Sequence, residues 1–342
     1  MTALRVAVVM GGTSAEREVS LRSGTAVMSA LDPNCYEAIA CIGEPDGTWT
    51  LAGECVAPEE LGAALKRRGA GVVFIALHGP GGEDGKLQSL FDICNIPYTG
   101  SGAAASAVAM DKIFTRAVLE ASGLRCAPAV IVNEFEWRSG ARDNITDRAF
   151  ALGAPLSGAS LFVKAPTQGS SFGVTKVDIN NTAALPAAID HAFQFGPRIL
   201  IERGIAGVEV TVPILGNAND LELFALAPVE IRPKQSAFFD YNEKYSASGA
   251  EEICPPRSLT KERVAEISKY GERAHRALQC DGMSRTDMIV TENEVFILEV
   301  NTIPGLTERS LLPQSAAASG IPFPELVSRI IQFALRRFRA SS

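Results

Sequence analysis

No C-x-x-C pair occurs in this sequence of 342 residues, and its seven cysteines, at 35, 41, 55, 94, 126, 254 and 280, are scattered and odd in number. That argues against a disulfide framework and a cysteine zinc site, and sets the expectation of a reduced, cytoplasmic setting. Nor does any apolar run approach the roughly 18 residues that a membrane span requires. The piece "VAVVM" near the N-terminus is too short for the core of a secretory signal. Basic charge is not in excess: 32 Lys and Arg stand against 39 Asp and Glu, a net charge of -7. This speaks against a polyanion-binding surface, and the basic end "RRFRA" reads instead as a favourable close to a helix dipole. Internal repeats and low-complexity tracts are missing too. What remains is 46% hydrophobic and 21% charged residues, the balance of a globular protein, here long enough for two or three domains without nucleic-acid or membrane partners.

Between Arg5 and about Gly100, short apolar runs ("RVAVVM", "GVVFIAL") alternate with helical stretches ("EVSLRSGTAVMSAL", "PEELGAALKRRG"). This predicts a parallel sheet flanked by helices. Ligands in open α/β sheets sit where strands end, so the loops "GGTSAEREVS" and "HGPGGEDG" are candidate walls of one pocket. A glycine-rich link, "TGSGAAASAV", is expected to lead into the helix "MDKIFTRAVLEASG". From about 112 to 201, "LFVKAPTQGSSFGVTKV" and "ILIERGI" read as strands, with a tight Gly/Ser turn between the first two. The polar part "NEFEWRSGARDNITDRAF" reads as exposed helix and loop. From Glu202 onward come the strand "VEVTVPIL", a polar loop "RPKQSAFFDYNEKYSASGAEE", a helix near 260 to 279, and the hairpin "MIVTENEVFILEVN".

Three constellations carry chemistry. In "VFILEVNTIPG", strand alternation predicts Val295, Ile297, Glu299 and Asn301 on one face and Phe296, Leu298 and Val300 on the other. Across the "TENE" turn the partner strand supplies Asp287, so two carboxylates and a carboxamide can converge. Such a small set of hard oxygen donors suits magnesium, while a solvated strand face remains the alternative. In "VKAPTQGSSFGV", Gly169 and Gly173 bracket Ser170 and Ser171, with Lys164 one strand's reach away. Backbone N–H groups, hydroxyls and an ammonium together fit a phosphate, as a plain hairpin turn also fits the segment; it is not a Walker motif. Glu16 opens a helix, where a carboxylate either serves the helix dipole or, since it would repel a phosphate, anchors an ammonium. His78 directly follows a strand, a position that suits either a structural imidazole or one that orients a ligand. Lys112 and Lys244, taken alone, read as solvated lysines.

Taken in order, "GGTSAEREVS", "ALHGPGGEDG", "PYTGSG", "MDK", "GSSFGV", "DYNEKY", "RTDM" and "LEVNTIPG" resemble the D-alanine:D-alanine ligases of the ATP-grasp superfamily over nearly the whole chain. The resemblance implies an α/β and α+β fold of three domains. A Rossmann-like parallel-sheet domain spans 1–111, a central ATP-grasp domain 112–201, and a C-terminal domain 202–342. ATP would lie between the second and third, and the amino acids between the first and third.

Carried onto this sequence, Lys112 and Lys164 resemble the phosphate-binding lysines, with Ser170 and Ser171 in the turn over the triphosphate. Glu202 would face adenine and Glu209 the ribose. Asp287, Glu299 and Asn301 are similar to ligands of two magnesium or manganese ions; a potassium ion is left open. Arg285, with backbone N–H near Gly305, resembles the group that steadies the acyl-phosphate and tetrahedral intermediates. Glu16 would anchor the amino group of the first D-alanine and form a triad with Ser170 and Tyr245. Lys244 and Ser310 would hold the second substrate's carboxylate, with Leu311 lining its pocket. The implied product is D-alanyl-D-alanine for peptidoglycan precursors, made by a homodimer.

The chain departs from the family's commonest pattern at Ala165, at Phe239, and at Glu308 and Arg309 in "TERSLLP". These positions bear on the second pocket. D-lactate or D-serine as second substrate is therefore the nearest alternative. A non-catalytic ATP-binding regulator on the same scaffold is another, against which the intact set of lysines and metal ligands speaks. An NAD-dependent oxidoreductase is disfavoured because "GGTSAE" lacks the G-x-G-x-x-G spacing.

Overall fold

The computed structural model describes residues 3–153, 159–169, 173–181, 183–233 and 250–341. Three sheets organise them. The first contains β1 (Leu4–Gly11), β2 (Tyr36–Gly43), β3 (Trp49–Leu51), β4 (Glu54–Val56) and β5 (Val72–Ile75) in the order β4-β3-β2-β1-β5. β1 runs parallel to β2 and β5, as the alternating pattern predicts, but β3 and β4 add antiparallel strands at one edge. From Val6 to Gly11 every residue of β1 is buried, the continuous apolar run expected of a strand covered on both faces. β1 ends at Gly11, which Gly12 follows, both at positive φ. The helix Arg17–Ala30 then returns so close that a Cβ on Gly24 would lie 2.5 Å from Met10 Sδ.

The stretch "TGSGAAASAV" differs from the expected link. Residues Ala103–Met110 form a helix, because the alanines that follow its glycines are the strongest helix formers. Asp111 turns extended and caps the next helix, Lys112–Ala121, by accepting from Ile113 N at 2.9 Å. That cap sets Lys112 on the first helical residue.

The second sheet is antiparallel, with β6 (Ala129–Asn133), β7 (Ser160–Lys164), β8 (Thr175–Asp178) and β9 (Arg198–Arg203) in the order β6-β9-β7-β8. β7 ends at Lys164 and β8 begins at Thr175, and residues 170–172 of the Gly/Ser turn expected between them lie outside the described residues. The stretch "NEFEWRSGARDNITDRAF" is not simply exposed. Its helices, Glu134–Arg138 and Arg142–Gly153, bury Trp137, Ile145 and Ala149 against this sheet.

The third sheet contains β10 (Val208–Leu215), β11 (Phe224–Ala225), β12 (Val229–Pro233), β13 (Ala250–Ile253), β14 (Met283–Val290) and β15 (Val295–Asn301). Its order is β13-β12-β10-β14-β15, with β11 on β10. The helix Lys261–Ala277 packs on it, and the C-terminal helix Phe323–Ser341 packs against β5 and the helix Arg17–Ala30. Leu326, Val327, Ile330 and Ile331 thereby join the core of the first sheet.

The β14–β15 ladder corrects one expectation. Asp287 pairs with Glu299, but Met288 pairs with Ile297, leaving Leu298 as an extra residue. This bulge reverses the alternation. Ile297 consequently faces the apolar side with Val300, while Glu299 shares its face with Asp287. Among the described residues no helix is long and apolar enough to cross a membrane, and the seven cysteines are free. Burial pushes the Cys41 and Cys280 thiols up to about 12.

Candidate active site

A cleft of about 460 Å³ opens where the ends of β1 and β5 meet the β14–β15 hairpin and the loop after it. Glu16 lies on its first wall, at the N-cap position of the helix Arg17–Ala30. Its side chain makes no capping hydrogen bond to that helix. The loop after β5 comes within touching distance: a Cβ on Gly79 would lie 2.5 Å from Glu16 Oε2. Gly79 has φ +73, a conformation that a side chain would strain.

His78 is buried and ties three segments together. Its Nδ1 lies 3.1 Å from Ile303 O and its Nε2 2.9 Å from Ser23 Oγ. A carbonyl only accepts, so Nδ1 carries the proton and Ser23 donates to Nε2. Ser23 Oγ in turn accepts from Leu306 N at 3.3 Å. His78 thus fixes the loop after β15 against the first sheet.

Glu83 is a residue the sequence reading passed over. It lines the cleft, accepts from Gly79 N at 3.2 Å and lies 3.6 Å from His78 Nδ1. Burial, joined by the negative charge of Glu16, holds its carboxyl above the usual range. The quoted "HGPGGEDG" contained it, but the neighbours that give it chemistry come from elsewhere in the chain.

The opposite wall is β14–β15. Arg285 donates to both oxygens of Asp287, from Nε at 2.9 Å and Nη2 at 2.8 Å. Thr211 Oγ1 on β10 donates to Asp287 Oδ1 at 2.5 Å. Burial opposes the Arg285 charge, but Asp287 and Glu299 together hold its pKa above the ordinary arginine value. Lys112 bridges to this wall, its Nζ 3.0 Å from Glu299 Oε2 and donating to Gln168 O at 3.0 Å. Desolvation works against that ammonium too, and the attraction of Glu299 outweighs it. Asn301 stands opposite Arg285 in the ladder, and its Oδ1 accepts from Ile303 N at 2.9 Å.

Asp287, Glu299 and Asn301 therefore share one face at the cleft. Their donors are all oxygen, two of them carboxylate, which fits magnesium or manganese rather than zinc. Among the described residues no cluster of three or more His, Cys, Asp or Glu is assembled for a metal.

Ser310 and Leu311 line the far end, where the helix Leu311–Ala318 starts. Ser310 Oγ accepts from Thr307 N at 3.1 Å and lies 2.7 Å from Thr307 Oγ1. Gly305 permits this close turn, since a Cβ there would sit 2.7 Å from Ser310 Oγ. Glu209, on β10, also lines the cleft.

Lys164 and Glu202 are brought to each other, not to this lining. Lys164 Nζ is 2.5 Å from Glu202 Oε2, and Arg116 Nη1 is 3.0 Å from Oε1 of the same carboxylate. Arg116 was not anticipated, because a helical Arg four residues before Glu120 reads as a surface pair. Ser170, Ser171, Lys244 and Tyr245 lie outside the described residues.

Residues 118–332 match the profile "D-ala D-ala ligase C-terminus", and residues 5–68 and 55–101 match "D-ala D-ala ligase N-terminus". The D-alanine–D-alanine ligase of Desulforudis audaxviator (strain MP104C) is 42% identical over 334 residues, 97% of this chain and 99% of that protein. The VanG D-Ala:D-Ser ligase from Enterococcus faecalis superposes with a TM-score of 0.81 at 30% identity, covering 97% of this chain and 100% of the other. The Bacillus anthracis D-alanine–D-alanine ligase complexed with ATP gives 0.78 at 26% identity, covering 99% and 100%. With both profiles matched and identity of this order over nearly the whole length, the chain belongs to the D-alanine–D-alanine ligase family.

Proposed function

We propose that this protein joins two D-alanine molecules into D-alanyl-D-alanine at the expense of ATP, for peptidoglycan precursors. The observation that carries the reading is that Glu16 on one wall and the Arg285, Asp287, Glu299 and Lys112 group on the other border the same cleft. An ammonium anchor thus faces a set of charges suited to phosphoryl transfer.

In the first step a carboxylate oxygen of the first D-alanine attacks the γ-phosphorus of ATP, and the bond to ADP breaks. Glu16 holds that substrate's ammonium, with His78 and Glu83 fixing the loop beside it. In the second step the neutral amine of the second D-alanine attacks the acyl carbon. The tetrahedral centre places negative charge on oxygen, which Arg285 balances. As the tetrahedral centre collapses, the acyl carbon–oxygen bond to phosphate breaks and the proton from the nitrogen leaves with the phosphate. Most of this work is orientation and charge balance.

Lys112 and Lys164 serve the phosphates, Glu202 the adenine and Glu209 the ribose, with Ser170, Ser171, Lys244 and Tyr245 completing the site. Asp287, Glu299 and Asn301 would hold magnesium or manganese, whose positive charge would neutralise the triphosphate. The reading includes the division at 1–111, 112–201 and 202–342, a cytoplasmic location and a homodimer.

Phosphate release from ATP with D-alanine, L-alanine, or D-alanine plus D-lactate or D-serine tests it, with mass spectrometry of the products. D-alanyl-D-alanine as main product is expected. Predominant depsipeptide or D-alanyl-D-serine would move the second substrate to the alternative, and ATP binding without turnover would leave a regulator.

A further inference from the structure

Leu161, Val163, Ile199 and Ile201 fill the helix-covered face of the second sheet. Strand alternation and the β7–β9 register therefore place Lys164 and Glu202 together on its other face. Each oxygen of the Glu202 carboxylate meets one cation, and the two cations are held differently. Lys164 Nζ lies 2.5 Å from Oε2, its one ion pair among the described residues. Arg116 Nη1 donates to Oε1 at 3.0 Å, while its Nη2 donates to Ala127 O at 2.7 Å and to Glu120 Oε1 at 2.8 Å. The guanidinium therefore has two anchors besides Glu202. With the Arg116 and Glu202 side chains only 12% and 9% exposed, water screens their contact little.

We propose that Arg116 is a positioning residue that selects the nucleobase: it fixes Oε1 of Glu202 so that Oε2 accepts a hydrogen bond from an exocyclic amine. The inference rests on the reading of Glu202 as the adenine contact and of Lys164 as a phosphate ligand. A lysine that turns to phosphate leaves Oε2 without its donor, and a buried acceptor without a donor is costly. An amino group on the base meets that need. A base carbonyl in the same position sets oxygen against carboxylate and is rejected. The selection works only if the carboxylate stays oriented while Lys164 moves, and a guanidinium pinned on Ala127 O and Glu120 provides that in a fixed fork. Without Arg116, carboxylate and phosphate compete for the one ammonium of Lys164.

Purine riboside triphosphate tests this, because it carries hydrogen where ATP carries the amine and is otherwise the same. The wild-type enzyme, Arg116→Gln and Arg116→Lys are each given D-alanine, magnesium and one nucleotide or the other, and kcat/KM for dipeptide formation is measured with each. The ratio of the two values does not depend on the fraction of active enzyme. The wild type prefers ATP by about 10- to 100-fold, the range of one hydrogen bond to a charged acceptor. In Arg116→Gln that preference falls about tenfold, and in Arg116→Lys, which keeps the charge but not the fork, about threefold. KM for D-alanine is unchanged in both. An unaltered preference in either variant, including an equal loss with the two nucleotides, overturns the proposal. A wild-type enzyme indifferent to the amine overturns instead the placement of adenine at Glu202, and absence of dipeptide with either nucleotide overturns the ligase reading.

Discussion

Lys112 and Glu299 form an ion pair of 3.0 Å that joins the start of the helix Lys112–Ala121 to strand β15 across the cleft. A magnesium nucleotide would exchange this pair for two others, ammonium with phosphate and carboxylate with metal. Because both partners stay charged throughout, the exchange is balanced. Removing one partner is not. Lys112→Gln should raise KM for ATP about 10- to 100-fold, the range of one charged hydrogen bond. Steady-state kinetics checks this, and an unchanged KM for ATP would remove Lys112 from the phosphate site.

Asp287 is held by Arg285 and Thr211, so its carboxylate is oriented before any metal arrives. Asp287→Asn should shift the magnesium dependence of phosphate release to higher concentration, since an amide is a weaker ligand for a hard cation. Superimposable magnesium titrations would contradict its role.

Glu16 sits at a helix start without capping it and lines the cleft. Replacement by Gln keeps the shape and removes the charge. KM for the first D-alanine should rise by about 10- to 100-fold while KM for ATP holds; normal use of D-alanine would return Glu16 to a structural role.

Leu311 lines the cleft beside Ser310. A guanidinium there would bring a second cation next to Arg309 and disfavour an acceptor amine that is still protonated. Leu311→Arg should depress dipeptide synthesis at neutral pH, with the loss easing as pH rises and the amine becomes neutral. Full activity across the pH profile would show that the position does not select the second substrate.

His275, fully buried, accepts at Nδ1 from Ser284 Oγ at 2.7 Å and donates from Nε2 to Gly216 O at 3.1 Å. Burial lowers its pKa to about 4. The unfolded histidine takes up a proton near 6.5 and the folded one only near 4, so its contribution to stability is complete above 6.5 and is lost as pH falls towards 4. The loss amounts to about 3 kcal/mol. Urea unfolding between pH 7 and pH 4 should show this slope, and His275→Gln should flatten it. Identical slopes would mean that His275 is protonated in the folded protein.

Much of this was legible in the sequence, and what was missed has physical reasons. The hairpin ending in "LEVNTIPG" announces itself by its turn and its apolar alternation. The bulge at Leu298 does not, because leucine suits either face and only the partner strand reveals the skipped residue. "TGSGAAASAV" looked like a link because its glycines came first, although packing buries Ala105 and Ala109 in a helix. Glu83 and Arg116 acquire their significance from His78, Glu16 and Glu202, contacts between segments distant in sequence that no local pattern encodes.

The most direct test of an acyl-phosphate ligase in this cleft is the fate of the substrate's own oxygen. D-alanine labelled with oxygen-18 in both carboxyl positions is incubated with ATP and magnesium, and dipeptide and phosphate are analysed by mass spectrometry. D-alanyl-D-alanine should form with one labelled oxygen transferred to each phosphate released. Phosphate free of label, or released with no dipeptide, would contradict the account.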